Sequence, residues 1–277
     1  MVGTHTFIGK HSKIKLEQLG FLKHEPWFCI EQVDSFDNIS LFISSYEGYP
    51  YKIIRTEEFT VVIEGMIYNL NDNSLYDKIK TIADLFIKAA DYMSSISEFT
   101  ALCDGDFVIQ IFDKKNGRYL VFNDYLARLP LYYLIEKDKA IISRDIKSNL
   151  EFSSELKIDL SAVTGFLMLS YIFGNRTFFK NIKRLEAYQA IVINDINNPS
   201  AVTIRNTNSI NYNTIDHGND KKAVLKELVD QFHLDSKNRV TKLLENEYDL
   251  MSAMSGGFDS RAVLGGLSKF YKKIKYI

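Results

Sequence analysis

The first two hundred residues are cut by turn formers into short runs rich in β-branched and aromatic side chains. Runs of that kind hide their apolar surface by pairing into sheets. Trp27–Val33, Ile39–Tyr46 and Phe59–Ile63 are separated by Asp37-Asn38 and Gly48-Tyr49-Pro50. Phe107–Phe112 and Tyr119–Phe122 flank Asp113-Lys114-Lys115-Asn116-Gly117, where Asn-Gly suits a tight turn. Leu131–Ile135 and Ala140–Ile142 read as a hairpin around Lys137-Asp138-Lys139, and Tyr188–Ile193 with Val202–Arg205 as a last pair. Two helices interrupt the strands. One is capped by Asn73 or Ser74, with Leu75, Ile79, Ile82, Phe86, Ala89 and Met93 forming an apolar stripe. The other spans Asp159 to Tyr171, with Asp159 or Ser161 as cap.

Composition changes at Asn206–Asp220, a polar, Asn-rich stretch that reads as a linker. Beyond it the pattern is helix (Lys221–Glu245, with Val224, Leu225, Leu228, Val229 and Phe232 on one face), strand (Asp249–Met254), Gly-rich turn, helix (Arg261–Tyr271) and the opening of another strand. The length of 277 residues suits about two domains.

Charge narrows the function classes. Lys+Arg total 34 and Asp+Glu 35, a net charge of −1 that argues against a dedicated binder of nucleic acid or anionic membrane. The two cysteines, Cys29 and Cys103, exclude a disulfide scaffold or Cys-based zinc cluster and fit a reducing compartment. Both read as small core residues. The start of the chain lacks the pattern of a secretory signal, and the most apolar stretch, Gly165–Gly174, is far short of the about 20 residues a membrane span needs. The expectation is a cytoplasmic protein. Histidines at 5, 11, 24, 217 and 233 show no metal-ligand spacing, and the aromatic residues read as core.

Chemistry concentrates at Met254-Ser255-Gly256-Gly257-Phe258-Asp259-Ser260. A strand, a Gly-rich turn and a helix make an anion site: the backbone approaches closely, and unpaired N–H groups at the helix start favour negative charge. Ser255 and Ser260 add hydroxyl donors. Asp259 offers a carboxylate to a divalent cation held against phosphate oxygens. No Gly-Lys-Ser/Thr follows, so this is not the common nucleotide loop. A plain β–α turn that merely needs glycine is the poorer reading. Ser-Gly-Gly-x-Asp-Ser is similar to the loop of the PP-loop ATP pyrophosphatases.

Upstream matches narrow the resemblance. Glu64-Gly65-Met66-Ile67-Tyr68-Asn69, Asp104-Gly105-Asp106-Phe107 with Asp113, Asn123-Asp124 with Arg128-Leu129-Pro130-Leu131-Tyr132-Tyr133, and Thr177-Phe178-Phe179 through Leu185 occur in the order found in the asparagine synthetase family. The chain resembles that family over nearly its whole length. The resemblance implies an α+β and α/β architecture. An Ntn-hydrolase-like αββα sandwich (1–205, glutamine amidotransferase-like) would be joined by a linker (206–220) to the first β–α unit of a PP-loop ATP-binding domain (221–277). It further implies ATP and Mg2+ as cofactors. Met254, Ser255, Gly256, Gly257, Asp259 and Ser260 would hold ATP and pyrophosphate, with Asp259 on the metal. Met254 would give adenine an apolar contact. Arg261, where the family often has serine, either pairs with phosphate or is a solvated cation.

Departures from the family qualify this. Its glutaminase uses a cysteine directly after the initiator Met, the thiol as nucleophile and its own amine as base. Here Val2 follows Met1. Glu64 stands where the family places an oxyanion-hole asparagine, so Glu64, Gly65 and Met66 form a vestigial glutamine pocket. The acidic residue that the family places at the start of the long helix is replaced near Thr81-Ile82. No catalytic residue is therefore assigned, and glutamine hydrolysis is not expected, as in the β-lactam synthetases of the same family. The sequence ends within the second strand of the ATP domain, so it reads as a fragment.

The leading expectation is an amide-forming ligase in the intact parent. A small carboxylate, aspartate by family default, is adenylated, and ammonia or an amine then attacks it. The resemblance leaves a homodimer open. A non-catalytic Ntn-like scaffold or recognition module is the alternative, as is a maturation enzyme resembling β-lactam synthetases or peptide cyclases. A PP-loop enzyme acting on transfer RNA is disfavoured by the neutral charge.

Overall fold

A computed structural model describes residues 2–207 and 220–276. Contacts divide the chain into a unit within 1–209 and a second within 210–277. The first contains β1 (Gly3–Gly9), β2 (Cys29–Phe36), β3 (Ile39–Ser45), β4 (Tyr51–Arg55) and β5 (Phe59–Ile67), then α1 (Asp72–Ile87) and α2 (Tyr92–Leu102). β6 (Gly105–Asp113), β7 (Arg118–Asn123), β8 (Tyr132–Ile135) and β9 (Lys139–Ser143) follow, then α3 (Ile146–Glu151), α4 (Leu160–Leu169), β10 (Ile182–Arg184), β11 (Gln189–Ile193) and β12 (Val202–Asn206).

These strands make two six-stranded antiparallel sheets, ordered β10-β8-β9-β1-β3-β2 and β12-β11-β7-β6-β5-β4. The central strands are covered on both faces, which is why they read as continuous apolar runs rather than as alternation. On β1, Ile8 joins a core shared by the two sheets, while Phe7 joins a cluster with Leu19, Leu22 and Phe42. On β5, Val62 faces the shared core, while Val61 and Ile63 meet Ile79, Ile82 and Phe86 of α1.

Helix α1 starts earlier than the sequence suggests. Asn71, not Asn73 or Ser74, is the cap, and its side chain accepts from the Ser74 N–H at 2.9 Å. Ala89 and Met93 fall outside the helix: Ala89 has φ 53° and Met93 belongs to α2. Asp159 caps α4 by accepting from the Ala162 N–H. Thr81 and Ile82 lie in the middle of α1, with Ile82 in the core, so they do not replace a pocket residue at a helix start. Cys103 is buried, but Cys29 is exposed, contrary to its reading as core. It sits on β2, an edge strand whose residues are mostly open to solvent. The linker expected over 206–220 falls largely on 208–219, outside the described residues; Asn206 ends β12 and Asp220 caps the next helix.

The second unit has α5 (Lys221–Glu245), β13 (Leu250–Ser252), α6 (Phe258–Leu267), a 3₁₀ turn and β14 (Ile274–Tyr276). β13 and β14 pair in parallel, so α6 is the crossover of a β–α–β unit. Gly266 permits close packing of α6 on α5, since a Cβ there would lie 2.6 Å from the Phe232 ring. Of the expected apolar face of α5, Leu225, Leu228, Val229 and Phe232 are exposed; Val240 is the residue that is buried. Among the described residues no helix is long and apolar enough to cross a membrane.

Candidate functional site

The head of β1 carries the first constellation. Glu64 on β5 is fully buried, and its carboxylate is held from three sides. The Arg144 Nε donates to Oε1 at 2.8 Å, the Tyr49 hydroxyl donates to the same oxygen at 2.5 Å, and the Thr4 N–H and hydroxyl donate to Oε2 at 3.0 and 2.7 Å. Arg144 also donates to the Pro130 carbonyl. Burial, and then the Glu64 charge, push the Tyr49 hydroxyl well above its usual range. The network continues between the sheets. Gln110 Nε2 donates to the Thr4 hydroxyl at 2.6 Å, and the Gln110 carbonyl oxygen accepts from Thr6 and Tyr119.

Gly3 touches this cluster directly. Its φ is +134°, and a Cβ would lie 2.5 Å from both Arg144 Cγ and Glu64 Oε1. The space beside Gly3 is filled by the protein's own ion pair. Gly65 (φ +95°) is likewise obligatory, since a Cβ would lie 1.9 Å from the Asp106 carbonyl oxygen. Met66, next to it, is half-exposed and pairs across the sheet with Asp106.

The family-like segments come together. The Arg128 Nη1 donates to Gly105 O at 2.8 Å and lies 3.3 Å from Asp106 Oδ1 and 3.8 Å from Asp124 Oδ1. Asp124 accepts from the Leu126 and Arg128 N–H groups, and burial pushes its carboxyl upward. The Tyr68 hydroxyl donates to Asp106 Oδ2. Ile182–Arg184 pairs with Tyr132–Leu134, joining two further segments. Arg144, Thr4 and Tyr49 had no local signature: their link to Glu64 spans 80, 60 and 15 residues respectively.

The second constellation is the Ser255–Ser260 loop between β13 and α6. The two hydroxyls lie 3.0 Å apart, Ser255 Oγ accepts from the Gly257 N–H at 3.2 Å, and Ser260 Oγ donates to Ser255 O at 2.9 Å. Gly257 is the N-cap of α6 and provides no side-chain cap, which leaves the first-turn N–H groups without that partner. Asp259 is exposed in that first turn. Met254 is 63% exposed. The Arg261 guanidinium donates to Gly256 O and Gly257 O at 3.2 Å each and lies 4.7 Å from the Phe258 ring centre. No group of three or more His, Cys, Asp or Glu poised for a metal occurs among the described residues. The single exposed carboxylate of Asp259 on this turn is a donor set that Mg2+ accepts only together with phosphate oxygens, since that ion takes one or two protein carboxylates rather than an all-protein cage.

The family model for the glutamine amidotransferase domain matches residues 50–202, which include Glu64 and the segments around Asp106 and Arg128. The chain belongs to this family. It is similar to a protein named putative asparagine synthetase [glutamine-hydrolyzing] 2 from Methanocaldococcus jannaschii, with 25% identity over 222 residues, 77% of this chain and 41% of that protein. This chain thus spans less than half the length of that curated relative. Among solved structures, glutamine phosphoribosylpyrophosphate amidotransferase from B. subtilis complexed with ADP and GMP matches with a TM-score of 0.37 and 11% identity, over 99% of this chain and 59% of that one. A second, described as the allosteric regulatory enzyme of purine biosynthesis, gives the same TM-score and identity over 100% and 59%. Matches that loose carry no structural conclusion.

Proposed function

We propose that this chain is part of an asparagine synthetase-like, ATP-dependent amide-forming ligase whose amidotransferase domain has given up glutamine hydrolysis. The observation that carries the second half is the Glu64–Arg144 pair beside Gly3. A developing oxyanion needs donors aimed at it. A buried carboxylate whose oxygens already accept four hydrogen bonds offers none. Val2, just before Gly3, has neither a thiol nor a hydroxyl to act as nucleophile. The domain then serves as a structural platform, and nitrogen comes from ammonia or a substrate amine.

The ligase half rests on the Ser255–Ser260 loop before an α6 that lacks a side-chain cap. In this reading the loop N–H groups, Ser255 and Ser260 would hold the β- and γ-phosphates of ATP, and Asp259 would hold Mg2+, which would supply charge neutralisation for the phosphates. A substrate carboxylate oxygen bonds to the α-phosphorus as the bond to pyrophosphate breaks. The nitrogen nucleophile then bonds to the acyl carbon, loses a proton, and AMP departs. Aspartate is the default substrate in this reading, and the two free cysteines suit a reducing compartment such as the cytoplasm.

ATP–pyrophosphate exchange tests this in the full-length protein. Ser255→Ala with Asp259→Ala should abolish exchange; unchanged exchange refutes the assignment. Replacing Val2 by Cys, with the initiator methionine removed, should leave glutamine hydrolysis at background while Glu64 and Arg144 remain. Turnover by that variant refutes the loss-of-pocket reading.

A further inference from the structure

A cavity of about 390 Å3 opens in the first unit and is lined by Leu126, Tyr171, Arg184, Glu186, Tyr188 and Gln189, a set that shares no residue with the hydrogen-bond partners of Glu64. Cavities of this size hold small ligands. Arg184 ends β10 and Glu186 follows two residues later, and both are half-buried.

These two opposite charges line one cavity without pairing. Among the described residues, Arg184 Nη2 donates to the Ala127 carbonyl at a marginal 3.5 Å, and the Glu186 carboxylate accepts from the Gln189 amide at 3.3 Å, while the Glu186 carbonyl accepts from Asn123. Neither has an ion-pair partner among the described residues. Elsewhere in the same unit such groups do pair: Arg144 with Glu64 at 2.8 Å, Arg118 with Asp113 at 2.6 Å and Arg176 with Asp159 at 2.8 Å. Half-buried charges of opposite sign neutralise one another when geometry allows. Here no ion pair joins them. Tyr188, with φ 60°, is a bulky residue in a left-handed conformation, and Ala127 (φ 51°) adjoins the same cavity. Strained residues gather where structure is held ready for a ligand.

We propose that this cavity binds a free α-amino acid with an apolar or aromatic side chain. Its α-carboxylate sits on Arg184, its α-ammonium on Glu186, and its side chain against Tyr171 and Leu126. An α-amino acid supplies both charges on groups that share one carbon. Phosphate lacks the cation, and a blocked or internal peptide residue lacks one charge or both.

Isothermal titration calorimetry on the full chain tests this without reference to ATP chemistry. The probes are L-phenylalanine, L-leucine, N-acetyl-L-phenylalanine and L-phenylalaninamide. The free amino acids should bind saturably, and each blocked form should bind at least tenfold more weakly. Arg184→Gln and Glu186→Gln should each weaken L-phenylalanine at least tenfold with an unchanged circular dichroism spectrum. Absence of saturable binding by both free amino acids overturns the proposal, as does equal affinity for the N-acetyl form. Should a variant fail to fold, the comparison of blocked and free probes on the unmodified chain decides.

Discussion

Replacing Arg144 by Met would leave the Glu64 carboxylate buried without its cation. Glu64 is 0% exposed and Arg144 4% exposed, so water cannot take the place of the lost charge. Three hydrogen bonds to Glu64 survive, from Tyr49 and twice from Thr4. The Pro130 carbonyl loses the donor that Arg144 supplied. Breaking a buried pair by removing one partner costs about 3–5 kcal/mol. With an m-value of about 2 kcal/mol/M, the urea midpoint should fall by roughly 2 M. The companion variant is Arg144→Met with Glu64→Gln. It removes the charge while keeping an acceptor for Thr4, so most of the loss should return; buried pairs replaced together are often neutral. Circular dichroism at 222 nm against urea reads the unmodified protein, the single variants Arg144→Met and Glu64→Gln, and the double variant. The reasoning is refuted if Arg144→Met costs under about 1 kcal/mol, or if the double variant costs the sum of the two singles.

Two further outcomes follow from buried groups. His5 is fully buried, its Nδ1 lying 2.8 Å from Ser143 Oγ and 2.9 Å from Ser148 Oγ, and desolvation by burial lowers its pKa from 6.5 to about 3. The unfolded chain therefore takes up a proton that the folded chain refuses, and stability, complete above pH 6.5, drains away as pH falls towards 3 at about 1.4 kcal/mol per unit. His5→Gln should flatten that slope in urea titrations between pH 6 and pH 4; an unchanged slope assigns it elsewhere. For the thiols, Cys29 is exposed, whereas Cys103 is buried with its thiol pushed up to about 12 by burial. A colorimetric thiol reagent should titrate one group in the native protein and two in urea, and Cys29→Ser should remove the native one.

Much of the strand pattern was legible because it depends on neighbours in sequence. The turn at Asn116-Gly117 needs only a glycine that accepts φ +63°, and it stands where the sequence puts it. Helix α5 runs from Lys221 to Glu245 as its pattern indicates. The N-terminal strand β1 was missed, since its polar Thr4, His5 and Thr6 do not read as core, yet all three are fully buried. They lie between two covered faces, where their partners are Gln110, Ser143 and Ser148. Cys29 failed in the opposite sense. An apolar strand flanked by aromatic residues reads as interior, but edge position in the sheet exposes it.

Glu64 through Asn69, inside the matched span of 50–202, and the Ser255–Ser260 loop beyond it are local motifs whose spacing is written in the chain itself. The substitution of Glu64 for an expected amide donor was visible there too. What tertiary structure alone decided is which groups hold the Glu64 carboxylate. Arg144, 80 residues away, arrives beside Glu64 because β1 pairs with β9 in one sheet while β5 lies in the other. Gly3 is pinned beneath both. Composition and spacing record which groups a chain owns, but whether a buried charge has a partner depends on three-dimensional proximity, and Coulomb energy falls with distance in space rather than with separation along the sequence.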